Sequence, residues 1–63
     1  MFEFTITFGN GNILTLKESN ETHAKGLKRE FSNQVNIGLI KGFSLRQNGL
    51  IIFACFKNEV SQK

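Results

Sequence analysis

The stretch LIIFACFK, residues Leu50 to Lys57, is the most apolar run of the chain, and it directly follows Asn48-Gly49. An Asn-Gly pair readily adopts positive φ angles in a tight turn, so this run is predicted to be the second strand of a β-hairpin. A strand that is apolar on both faces is typical of the middle of a sheet. The first strand of this hairpin is predicted at residues 42–46, with Gln47-Asn48-Gly49 as the turn.

A second hairpin is predicted at the start of the chain. Residues Phe2 to Phe8 alternate between apolar and polar side chains, which predicts a half-buried strand. Gly9-Asn10-Gly11 follows as a three-residue loop with Gly11 left-handed, and the return strand spans about residues 12–17. A two-residue loop is disfavoured because it would split the large apolar side chains between the two faces. The preferred register pairs Ile6 with Leu14 and Phe4 with Leu16.

A helix is predicted between the hairpins, from about Glu21 to Asn33. Ser19 or Asn20 can accept hydrogen bonds from the free amides of its first turn. Its apolar stripe consists of Ala24, Leu27 and Phe31, with Gln34 or Val35 as a further position, at three- and four-residue spacing. Gly26 lies inside the helix at a cost of about 1 kcal/mol relative to alanine, and we expect it to let the helix approach the sheet closely.

These elements predict one small α+β domain over residues 1–63, with a ββαββ order and the helix across one face of a four-stranded sheet. The first and last strands, being the most apolar, are expected side by side and parallel in the centre. This layout resembles the β-grasp folds, including the small immunoglobulin-binding domains of bacterial surface proteins. The resemblance implies an architecture and no activity. The alternative is a pair of less regular sheets completed by dimerisation, and in either case residues 58–63 are expected to fray.

One helix cannot cover both faces of the apolar last strand. We predict that Ile51, Phe53 and Cys55 lie on the open face as a protein interface, because an uncovered apolar patch usually marks one. A homodimer follows, and Phe53→Glu is expected to break association without unfolding the chain. The opposite register, with Leu50, Ile52, Ala54 and Phe56 facing away, remains open. So does the alternative that bulges, residues 35–41 or the tail cover the patch.

The exposed side of the helix is predicted to be basic, through Lys25, Lys28 and Arg29. This surface suits an acidic protein or phosphate groups, although a net charge of +3 is only mildly basic. The alternative is an ordinary solvated face, in which Glu21 and Lys25 form an i,i+4 pair.

The composition predicts that the protein is not an enzyme and holds no metal or cofactor. Cys55 is the one cysteine, His23 is the one histidine, and aspartate is absent, whereas a structural zinc site needs about four ligands. A Cys55–His23 pair lacks a third group to orient it. Neither glycine-rich turn continues as a phosphate-binding loop, and no small-molecule substrate is expected.

The sequence therefore predicts a small cytoplasmic binding or regulatory protein that has no membrane segment and acts through a protein partner. Its abundance of Phe, Ile, Asn and Lys without proline is what AT-rich coding DNA produces, which favours an inhibitor or accessory protein of a phage or other mobile element. The alternatives are a nucleic-acid-binding protein that uses the basic helix face, and a minor structural component of a larger particle.

Overall fold

The computed structural model describes residues 1–57 and contains four strands and one helix in that range. Its elements in chain order are β1 (Phe2–Thr7), β2 (Ile13–Glu18), α1 (Glu21–Asn36), β3 (Gly42–Gln47) and β4 (Leu50–Phe56). The predicted α+β order of hairpin, helix and hairpin is confirmed. The expected fraying of residues 58–63 lies outside the described residues.

The first hairpin has the predicted register. Phe4 lies opposite Leu16 and Ile6 lies opposite Leu14. The Gly11 N–H donates to the Phe8 carbonyl at 3.0 Å, and Gly11 has a φ of +92°. A left-handed glycine thus closes a three-residue loop, which places the apolar side chains of both strands on the same face.

The second hairpin turns through two residues with positive φ, Asn48 at +54° and Gly49 at +84°. This is the geometry that an Asn-Gly pair favours, because it matches the right-handed twist of the strands on either side. The predicted turn is confirmed, and β3 extends one residue beyond its predicted end to Gln47.

The helix begins where the sequence predicts and ends three residues later than predicted. The Asn20 Oδ1 atom accepts a hydrogen bond from the His23 N–H at 3.0 Å, so Asn20 is the N-cap. At the other end the Gly38 N–H donates to the Val35 carbonyl at 3.1 Å, and Gly38 has a φ of +85°. A left-handed glycine is a usual helix stop, and the extra turn buries Val35 against the sheet.

The strand order is β2-β1-β3-β4, with every neighbouring pair antiparallel. The prediction that the first and last strands lie side by side and parallel is wrong, and in this respect the sheet departs from the β-grasp layout. β1 instead pairs with β3, which sets Phe4 opposite Leu45 and Ile6 opposite Phe43. β3 contributes these buried side chains to the centre, and the more apolar β4 lies at the edge.

The core lies between α1 and the two central strands. Phe31 of the helix packs against Phe4 and Phe43, with ring centroids 5.4 Å and 5.6 Å apart. No residue of β2 or β4 is fully buried, so the helix covers the middle of the sheet and leaves both edges open. The fully buried apolar residues are Phe4, Ile6, Ala24, Val35, Ile40, Phe43 and Leu45.

Gly26 does not mediate a close approach between the helix and the sheet. A Cβ atom built on it would meet no atom within 4 Å, and the residue is exposed. It lies beside an open groove between α1 and β2 that is also lined by Glu18, Thr22, His23 and Leu27. The expectation of close packing at this glycine is therefore wrong.

Candidate protein-binding surface

A β-bulge in β4 determines which side chains reach each face of the sheet. Phe53 lies opposite Leu45, but the next residue of β3, Arg46, lies opposite Ile51. Ile52 is therefore the extra residue, and the simple alternation of side chains breaks at this point. The bulge combines parts of the two registers that the sequence left open.

Phe53 and Cys55 lie on the helix side of the sheet, so their predicted position on the open face is wrong. Both are half-buried and pack against the core, and the Phe53 ring is centred 5.6 Å from that of Phe43. Cys55 lies opposite the buried Phe43. Of the three predicted interface residues, only Ile51 lies on the open face, opposite Arg46. The bulge at Ile52 puts Ile51 and Phe53 on opposite faces.

The face away from the helix consists of three rows across the sheet, since directly opposed residues share a face. The first row has apolar side chains at both of its ends, and the middle row has only small side chains. The last row has three charged side chains next to Ile51. In the order β2, β1, β3, β4 the rows are Ile13, Thr7, Gly42, Phe56; then Thr15, Thr5, Ser44, Ala54; then Lys17, Glu3, Arg46, Ile51. Apolar side chains on this face are therefore concentrated at the sheet edges rather than its centre.

The Phe56 ring lies directly over Gly42 on the open face. A Cβ atom on Gly42 would overlap the Cγ and Cδ2 atoms of that ring. The ring hides the glycine backbone, which is buried, while 54% of Phe56 itself remains exposed. An aromatic side chain that covers a glycine on the neighbouring strand is a known way to stabilise a cross-strand pair.

The outer edge of β4 is the most apolar exposed element of the described chain. None of its seven residues, Leu50 to Phe56, is charged, and no described strand pairs with its outer side. Four of its side chains are more than half exposed: Leu50, Ile51, Ile52 and Phe56. Unpaired backbone groups next to apolar side chains form a template for another strand, and proteins usually protect such an edge with charge or cover.

The sequence treated Leu50, Ile52 and Phe56 as one alternative face, and Ile51 as part of the other. All four are more than half exposed in edge strand β4, with Ile51 and Phe56 on the face away from the helix and Ile52 at the bulge. An uninterrupted apolar run gives no alternation from which a bulge could be located. For the position of Phe56 the sequence did offer one signal, Gly42, since a glycine in a strand often marks the close approach of another group.

The three predicted basic residues lie on one side of α1 but differ in their surroundings. The Lys28 Nζ atom is 4.5 Å from the centroid of the Phe53 ring, and the residue is half-buried. Lys25 Nζ lies 3.8 Å from Glu21 Oε2, and both side chains are largely exposed. Arg29 is exposed. Lys28 therefore lies beside β4, whereas Lys25 and Arg29 are exposed to solvent.

His23 and Cys55 lie at opposite edges of the sheet. His23 Nδ1 is 3.5 Å from Oε2 of Glu18, in edge strand β2, whereas Cys55 is in edge strand β4. The Cys55–His23 pair that the sequence allowed is therefore not brought together. Among residues 1–57, no group of three or more His, Cys, Asp or Glu side chains is arranged to hold a metal ion.

Residues 1–57 contain no helix that is long and apolar enough to cross a bilayer, since α1 is too short and too polar. Comparison with protein-family models, with curated proteins and with solved structures found no match to this chain. Its function is therefore inferred from the arrangement of its own residues.

Proposed function

We propose that this chain is a small non-enzymatic binding protein that acts by covering part of the surface of a protein partner. The observation that carries the proposal is the outer edge of β4, an uncharged strand with four side chains more than half exposed. Main-chain groups at such an edge can pair with a strand of a partner, and alternate side chains then contribute apolar contact.

The size of the molecule supports occlusion as its mode of action. A standard protein interface buries about 800 Å² on each partner, and the exposed surface of this chain is 4442 Å². One interface would therefore occupy close to a fifth of its surface. An inhibitor or accessory protein of a phage or other mobile element is the specific form that the composition favours, and a second copy of the chain is the simplest partner.

Photo-cross-linking tests the proposal in cells that make the protein. A photo-reactive phenylalanine derivative replaces Ile51 on the β4 edge or, as the matched control, Asn33 on the exposed side of α1. We expect a discrete adduct from position 51 and none from position 33. The cross-linked protein, or a second copy of this chain, is then purified and titrated with the unmodified protein.

Binding by the purified partner is compared between the native chain and Ile51→Glu. We expect a loss of about tenfold or more in affinity, because a carboxylate would have to be desolvated at the strand edge. Equal adducts from positions 51 and 33, or unchanged affinity in Ile51→Glu, would contradict a binding role for this edge.

A further inference from the structure

A small apolar groove lies on the helix side of β4, between α1 and the end of the sheet that carries the β3–β4 turn. Its apolar walls come from all the layers around it: Phe2 of β1, Ala24 of α1, Leu45 of β3 and Ile52 of β4. Ile52 is the bulged residue, so the bulge supplies one wall. The groove has a volume of about 160 Å³, close to the roughly 150 Å³ of a cavity that holds one benzene molecule.

The rim of this groove is charged, and mainly positive. Lys25 and Lys28 lie along its helix side together with Glu21, and Gln47 lies on its sheet side. The Phe53 ring, 4.5 Å from Lys28 Nζ, holds that ammonium group beside the groove. Lys25 is paired with Glu21 at 3.8 Å in a largely solvated contact, and such a contact is weak enough to be exchanged for another carboxylate.

We propose that this groove takes one large apolar side chain from an acidic segment of a protein partner, with a neighbouring carboxylate of that segment bound by Lys28 and Lys25. The volume selects a single leucine- or phenylalanine-sized side chain, and the two lysines select an acidic neighbour by charge complementarity. The inference rests on the proposed protein-binding function, since the groove adjoins the exposed strand β4 and shares Ile52 with it.

Three short peptides separate the apolar and the electrostatic contributions. The probes are the acetylated, amidated tripeptides Glu-Phe-Glu, Gln-Phe-Gln and Glu-Ala-Glu, titrated into isotope-labelled protein and followed by amide chemical shifts. We expect saturable shifts for Glu-Phe-Glu that centre on Ala24, Leu45 and Ile52. The other two peptides are expected to bind at least about fivefold more weakly, because each lacks one of the two recognised groups.

Three lysine variants test the role of the rim. Lys28→Met keeps an unbranched chain that can pack on Phe53 but removes the charge, and Lys41→Met removes the same charge from an exposed position outside the groove. Lys28→Met should remove most of the preference for Glu-Phe-Glu over Gln-Phe-Gln, and Lys41→Met should preserve it. Lys25→Met provides a second, solvent-exposed rim variant with the same expected direction.

Two results would overturn the inference: shifts that centre outside the groove, or an equal loss of preference in Lys28→Met and Lys41→Met. The results that would contradict the groove are distinct from those that would contradict the proposed function. An adduct from position 51 without peptide binding would remove the groove and leave the protein-binding role. Saturable binding of Glu-Phe-Glu at the groove without an adduct would support the groove and remove β4 pairing as the function.

Discussion

Gly42 and Phe56 act as a pair at the level of single residues. A methyl group on Gly42 would overlap the Phe56 ring. Gly42 is not one of the glycines with a positive φ angle. Its backbone can therefore accept alanine, and the cost of the substitution comes from displacing the ring into solvent.

Gly42→Ala is expected to lower the free energy of unfolding by about 1–2 kcal/mol, as added volume does in a packed site. Most of that loss should disappear when Phe56→Ala is already present, because the ring is then gone. Urea unfolding of the two single variants and the double variant gives the coupling. Additive effects would mean that the ring does not rest on this glycine.

Phe53 and Ile51 are two positions apart in β4 but differ in what they contact. Phe53 is half-buried against Phe43 and beneath Lys28, while Ile51 is 59% exposed. Phe53→Glu is therefore expected to lower the free energy of unfolding by about 2–4 kcal/mol, through lost packing and a desolvated charge.

Ile51→Glu should change the free energy of unfolding by no more than about 0.5 kcal/mol, since the site is exposed and faces Arg46 on the neighbouring strand. Circular dichroism during urea unfolding compares the two variants. If Phe53→Glu proves as stable as Ile51→Glu, the packing of Phe53 on the core is contradicted, and so is the position of the bulge.

At the level of elements, α1 contains an interior glycine that the fold does not require. Gly26 is exposed, has no atom within 4 Å of a built Cβ, and is not among the glycines with positive φ. Gly26→Ala should therefore raise the free energy of unfolding by about 0.5–1 kcal/mol, through the higher helix propensity of alanine. Thermal unfolding measures the gain.

Gly38 provides the matched control for that substitution. It follows the same helix but has a φ of +85°, where a side chain is strained, so Gly38→Ala should lower the stability instead. If Gly26→Ala also destabilised the protein, the groove between α1 and β2 would have to be narrower than the structure has it.

The sequence predicted elements whose determinants are local. The two turns were predicted, and the N-cap was narrowed to Ser19 or Asn20, because glycine, asparagine and their hydrogen bonds act within a few residues. The order of the strands was predicted wrongly, because Phe4 and Ile6 can be buried beside β3 or beside β4, and the structure places β3 next to β1. The candidate site was predicted only in part, since the bulge at Ile52 lies in a run with no polar residue to reveal a change of phase.

At the level of the whole molecule, the β4 edge predicts association. We expect the mass in sedimentation experiments to rise from monomer towards dimer with increasing concentration, with little change at high salt, because the edge is apolar. Ile51→Lys should raise the dissociation constant about tenfold or more, since a charge at a strand edge opposes pairing.

Ile37→Lys is the control for that measurement. Ile37 is 66% exposed, close to the 59% of Ile51, but it caps the end of α1 rather than lying in a strand. Its substitution should leave the association unchanged. Equal weakening of the association by both variants would mean that non-specific apolar contact, and not the edge strand, joins the molecules. A monomer at every concentration would exclude a second copy as the partner.

The antiparallel seam between β1 and β3 also sets the order in which the chain can fold. Each hairpin can close early through its own short turn, whereas the partners in the seam, such as Thr7 and Gly42, are separated in sequence by all of β2 and α1. Contacts between distant residues form slowly because a long loop must close first. We therefore expect the main folding barrier at the pairing of β1 with β3. In refolding kinetics, substitutions in Phe4 or Phe43 should then slow folding more than substitutions within either turn.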